Sequence, residues 1–104
     1  MYRVTTPTHK FNLPFDTDTI DKFIITYQQD GQTIIEKTEA DSGIVLSGRQ
    51  ITVNLTQQET ALFTSKIGGQ NRAYAQIRVK IDGKVLASNL MEIDVRDVLN
   101  EEVI

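Results

Sequence analysis

His9 is the single histidine of the chain, and there is no cysteine. Acyl transfer by a serine nucleophile needs a base within reach of an activated hydroxyl. His9 lies beside the first strand-like run, and no nucleophile-elbow spacing occurs anywhere in the chain. Without cysteine, disulfides and cysteine-based zinc, iron-sulfur or thiol chemistry are excluded. Asp16, Asp18 and Asp21 have the oxygen-rich spacing of a calcium loop, but they lack the glycine and the distant bidentate glutamate that an EF-hand loop uses. Turn formation accounts for these acids. Gly68-Gly69-Gln70-Asn71 is glycine-rich, yet it lacks the lysine and the following helix of a phosphate loop, and reads as a connector. Arg78 and Lys80, with Tyr74, project from one face of a strand and could line a polar groove, although a solvated sheet face is the commoner outcome. The expectation is a protein that is not an enzyme, with no catalytic, cofactor-binding or metal-ligating residues.

The composition narrows the partners. Fourteen acids against eleven Lys and Arg leave a net charge of -3 over 104 residues. No basic stripe is present for a phosphate backbone, so nucleic acid is excluded as an expected partner. The longest apolar runs, Ile44 to Leu46 and Ala61 to Phe63, fall far short of the roughly 20 residues that span a bilayer, and no apolar signal core opens the chain. A soluble protein with no membrane partner, made in a reducing cytoplasm, is the expectation.

The elements that would position any site are strands. From Ala73 to Asp82, apolar and polar residues alternate without a break, the period-2 pattern of a strand with one buried face. Asp82-Gly83 is a hairpin signal. In the return run, Val85, Ala87, Met91, Ile93 and Val95 form the apolar set and should face the core. A two-residue turn would set that set on the wrong face, so either a three-residue loop bulged at Gly83 or a bulge further along is required.

Upstream, Met1 to Thr6 reads as loose polar chain. Phe11, Leu13 and Phe15 alternate in a first strand, which Pro14 confines to an edge or ends. Phe23, Ile25 and Tyr27 mark a second strand, and Asp30-Gly31 a second turn. Gln32 to Glu39 carries Glu36, Lys37 and Glu39 on both faces, which is how edge strands avoid foreign pairing. Ile44 to Leu46 and Ile51 to Leu55 add two more strands. Thr56-Gln57-Gln58-Glu59 is a capping box. It should start one or two helical turns near 57–65, with Ala61, Leu62 and Phe63 as their apolar side and Gly68-Gly69 ending the connection.

About seven short strands and one short helix predict an all-β, immunoglobulin-like, two-sheet antiparallel β-sandwich. It is a single domain over 1–104, with 97–104 as a C-terminal tail. In that tail Val98, Leu99, Val103 and Ile104 flank an acidic Asn100-Glu101-Glu102 segment, where polar, frayed chain is the rule. Either the tail packs on its own domain or it awaits a protein partner, with these four residues in the contact.

The runs TTPTHKFNLPFDTDTIDKFIITYQQDG, LTQQETALF and QIRVKIDGKVLASNLMEIDVRDVLNEEVI together resemble a family of small immunoglobulin-like proteins encoded among prophage tail genes of Gram-positive gut bacteria. More distantly, they are similar to the N-terminal domain of the phage baseplate upper protein. The resemblance implies a structural or accessory protein of a phage tail or baseplate. Such a protein would be made in the bacterial cytoplasm, carried in the virion, and act by contact with other tail components or by self-association. Two other readings compete. A carbohydrate-binding domain decorating the particle would need exposed aromatic platforms, and the chain has no tryptophan and only three tyrosines. An intracellular regulator of a host protein makes no distinct demand on the sequence.

Overall fold

The computed structural model describes residues 1–65 and 71–104. Among these, eight strands form two antiparallel sheets. The smaller sheet has the order β1 (Thr8–Asn12), β5 (Gln50–Asn54), β4 (Ile44–Ser47). In the larger, β3 (Gln32–Thr38) is an edge, β2 (Lys22–Gln29) and β6 (Arg72–Ile81) follow, and β7 (Lys84–Ala87) and β8 (Met91–Asp94) both pair with β6. The architecture is the expected all-β sandwich, with one strand more than expected.

The extra strand comes from the hairpin. Ile81 pairs with Lys84 across a two-residue turn, with Asp82 at φ 50° and Gly83 at φ 80°. Two successive left-handed residues make a type I′ turn, whose twist matches that of the strands. This turn puts Val85 opposite Lys80 and Leu86 opposite Val79. Val85 therefore points away from the core, against the expectation that Val85 and Ala87 face inward. Between Ala87 and Met91 the pairing slips by one residue, so Ala73 meets Ile93 and Ala75 meets Met91. Ser88 manages the slip, because its Oγ accepts from the Ile77 amide at 3.1 Å while its own amide donates to the Ile77 carbonyl at 2.9 Å. The bulge is the later one of the two alternatives, and only beyond it do Ile93 and Val95 enter the core.

Alternation then accounts for that core. Phe11, Ile51 and Val53 from the small sheet meet Phe23, Ile25, Tyr27, Ala75, Ile77 and Val79 from the large one, all buried. His9 shares this inner face and lies 2.7 Å from the Tyr27 hydroxyl, a hydrogen bond from one sheet to the other. Phe63 stands edge-on to Tyr27, with ring centroids 6.2 Å apart.

Chain crossings are held by side chains that clasp backbone. A single 3-10 turn at Thr17–Thr19 joins β1 to β2, and Thr17 donates through both its amide and its hydroxyl to the Gly48 carbonyl, each at 2.8 Å. The helix α1 (Gln57–Thr60) crosses from β5 to β6, that is, from the small sheet to the large one. Its capping box is formed, with the Glu59 amide donating to Thr56 Oγ1 at 3.1 Å and the Thr56 amide to Glu59 Oε1 at 3.0 Å. At one turn it is shorter than the expected 57–65. Phe63 must bend into the core, and Leu62, expected on the apolar side, is 59% exposed. Gly68 and Gly69 lie outside the described residues.

Two further readings are corrected. β1 ends at Asn12, so Leu13 and Phe15 pack against the core from beyond the strand. The segment from Met1 to Thr6 is fastened, not loose: its backbone bonds in parallel to the chain after β8, Arg3 N to Arg96 O and Arg96 N to Met1 O, both at 2.8 Å. Thr60, fully buried, accepts from the Thr5 amide at 3.0 Å and donates to the Thr5 carbonyl at 2.9 Å.

Candidate interaction surface

Arg3 organises one end of the molecule. Its Nε donates to the Phe63 carbonyl at 2.6 Å and an Nη to the Ala61 carbonyl at 3.0 Å, occupying acceptors left open where α1 ends. The other Nη bonds to Asp97 at 2.8 Å and also to Glu101. One guanidinium thus ties the helix end to the C-terminal tail, a use of planar, forked donors that lysine does not reproduce. Burial disfavours its charge, but the bonds to Glu101 and Asp97 outweigh this and hold the guanidinium above its ordinary value. Arg3 in turn holds the Asp97 carboxyl below the usual range.

The far end of the tail is clasped separately. The Gln57 side-chain amide bonds both the Ile104 carbonyl and the Ile104 amide, the latter at 3.0 Å. Polar contacts therefore hold the tail at both ends, and its apolar side chains turn outward. Leu99 and Ile104 are fully exposed, Val103 is 48% exposed, and Val98 is half-buried. The segment is thus tied to the domain through the Asp97 and Glu101 side chains and the Ile104 backbone, while Leu99, Val103 and Ile104 face solvent.

At the opposite end, the outer face of the large sheet carries a groove of about 380 Å³. Strand register builds it: Lys22 stands opposite Lys80, Ile24 opposite Arg78, and Lys80 opposite Val85. Val85, at 60% exposure, and half-buried Ile24 supply its apolar side. Lys22, Arg78 and Lys80 bring three cations that form no ion pair among the described residues. Two like charges directly opposite each other in a sheet are unfavourable, so local stability does not explain the Lys22 and Lys80 pair. Tyr74 is not part of this groove; it lines a separate cleft with Gln28, Asp30, Gly31 and Arg72.

No family model, curated protein or solved structure matches the chain. Function must therefore be read from these surfaces. Among the described residues, no three or more His, Asp or Glu side chains converge as metal ligands. Asp16 faces Arg49 at 3.6 Å and Asp21 accepts from the Asp82 amide at 3.1 Å, so these acids serve separate turns. His9 is engaged by Tyr27. Of the tyrosines, Tyr27 is wholly buried, and Tyr2 and Tyr74 are exposed. No helix among the described residues is long and apolar enough to cross a membrane.

Sequence reading found the tail but missed its two anchors. Nothing distinguishes Arg3 in a polar N-terminal run, because its partners are 58 to 98 residues away. The groove was half visible: Arg78 and Lys80 were marked, whereas Val85 was assigned to the opposite face and concealed the apolar side.

Proposed function

We propose that this protein is a non-catalytic interaction module, a structural or accessory component of a phage tail or baseplate that acts by protein contact. One observation carries the contact reading. Leu99, Val103 and Ile104 are presented outward on a segment that Arg3 holds through the Asp97 and Glu101 side chains and Gln57 through the Ile104 backbone. Fixing a segment before association reduces the ordering cost of binding, so a small apolar patch can contribute net affinity. An interface needs apolar anchors of this kind set in a polar rim, and Asp97, Glu101 and Glu102 supply the rim. The phage setting rests on the sequence resemblance alone, since a sandwich fold hosts many functions.

Mass spectrometry of particles purified after prophage induction tests it. The protein should be present at a fixed copy ratio to the tail components. A Leu99→Ser/Ile104→Ser variant, which disturbs no buried contact, should be depleted from particles on the order of tenfold while its thermal midpoint stays within about 2 °C of the parent. Absence of the parent protein from particles sinks the assignment, as does undiminished incorporation of the variant.

A further inference from the structure

We infer that the basic groove of one copy receives the C-terminal tail of a second copy. The proposal rests on the interaction-module reading above and names the tail's partner. Chemistry matches on the two sides. The groove offers Lys22, Arg78 and Lys80 around Ile24 and Val85, three cations against its one acid, Glu39, whose carboxylate accepts from the Phe23 amide at 3.3 Å, and the tail offers Glu101 and Glu102 beside Leu99, Val103 and Ile104. Glu102 has no ion pair among the described residues, and the Glu101 side chain is 55% exposed even with Arg3 bound. Complementary charge around an apolar contact fixes register and rejects other partners. A groove of this volume is in the range of small binding clefts, about 300–1,000 Å³.

No residue of the tail lines the groove of its own molecule. The groove lies where β2 begins and β6 ends, whereas the tail leaves β8, which pairs with the first residues of β6. From Arg72 to Lys80 a strand covers about 26 Å, in a molecule 46 Å long. Arg3 holds Asp97 and Glu101 beside the Ala61 and Phe63 carbonyls, and Gln57 holds Ile104, none of which lines the groove. A patch at one end that fits a different patch at the other makes a heterologous contact, which propagates into a ring or a filament.

Sedimentation velocity over a concentration series tests this. The parent protein should assemble beyond a dimer, and added salt should weaken the assembly, because charges exposed at a rim are screened. Lys22→Glu/Lys80→Glu and Leu99→Ser/Ile104→Ser should each remain folded by circular dichroism and each be monomeric alone, with association weakened on the order of tenfold or more. Mixed in equal amounts, the two variants should form a dimer and nothing larger, since only one intact groove and one intact tail can meet. A parent that stays monomeric, a groove variant that assembles like the parent, or a mixture without dimers overturns the inference. If the tail variant alone is lost from particles while the groove variant is retained, the groove is the wrong partner and the interaction-module reading stands. If both variants are retained in particles, both fail.

Discussion

Gly43 shows how a single position can be fixed by backbone alone. It precedes β4 with φ 80°, and a Cβ there would stand 2.6 Å from the Asn54 carbonyl oxygen. The approach is enforced by pairing, because the Asn54 amide donates to the Gly43 carbonyl at 2.8 Å. Relief would require moving β4 away from β5, not rotating a side chain. Gly43→Ala should therefore lower stability by about 2 kcal/mol, combining left-handed strain with the clash. Gly31 shares the positive φ but has open space around its Cβ position, so Gly31→Ala should cost about 1 kcal/mol by strain alone. Urea denaturation of both variants checks the ordering, and equal losses would mean that the contact at Asn54 carries no weight. Neither cost is legible from the sequence, where both glycines simply look like turn residues.

At the level of elements, alternation made β2, β5, β6 and the core residues legible, because period-2 burial needs no knowledge of neighbours. The capping box was equally plain, since its partners are three residues apart. What alternation could not show was where other constraints override it: long-range bonds in the clamped N-terminal segment, and the two-residue Asp82-Gly83 turn in β7. Lys37 is an instructive case. It was read as one of several edge charges on β3, but it points inward, with a side chain only 9% exposed, and its Nζ is 2.5 Å from Glu59 on α1. Burial pushes the Glu59 carboxyl up, yet Lys37 and the Thr56 amide hold it below the usual range. A charge facing inward on an edge strand discourages a foreign strand from pairing there, while a nearly buried ion pair adds little net stability over an apolar replacement. Replacing both partners, Lys37→Met with Glu59→Gln so that the capping box is kept, should leave the unfolding free energy within about 1 kcal/mol of the parent and increase light scattering on prolonged incubation. A large destabilisation without aggregation would mean that the pair serves α1 and not the edge.

Over the whole molecule, the two sheets are joined by packing and, among the described residues, by a polar link from His9 to Tyr27. Burial pushes the Tyr27 hydroxyl up, so it keeps its proton, and burial pushes the His9 imidazole below its ordinary value. Folded protein thus binds a proton at His9 less readily than unfolded chain, where the pKa is about 6.5. Stability from this source is fully present above that value. It is lost as pH falls through 6.5 toward the lower folded value, because protonation then favours the unfolded state. The depressed carboxyls of Asp41, Glu59 and Asp97 act in a separate window, since their contribution is lost only below the unfolded carboxylate range, about pH 4. Between pH 7.5 and 5.5 the loss is therefore assigned to His9. His9→Gln keeps a hydrogen-bonding group near Tyr27 but does not titrate. The parent should lose urea resistance over that interval and the variant should not. Parallel losses in both proteins would place the proton elsewhere and leave the link between the sheets without a role in pH response.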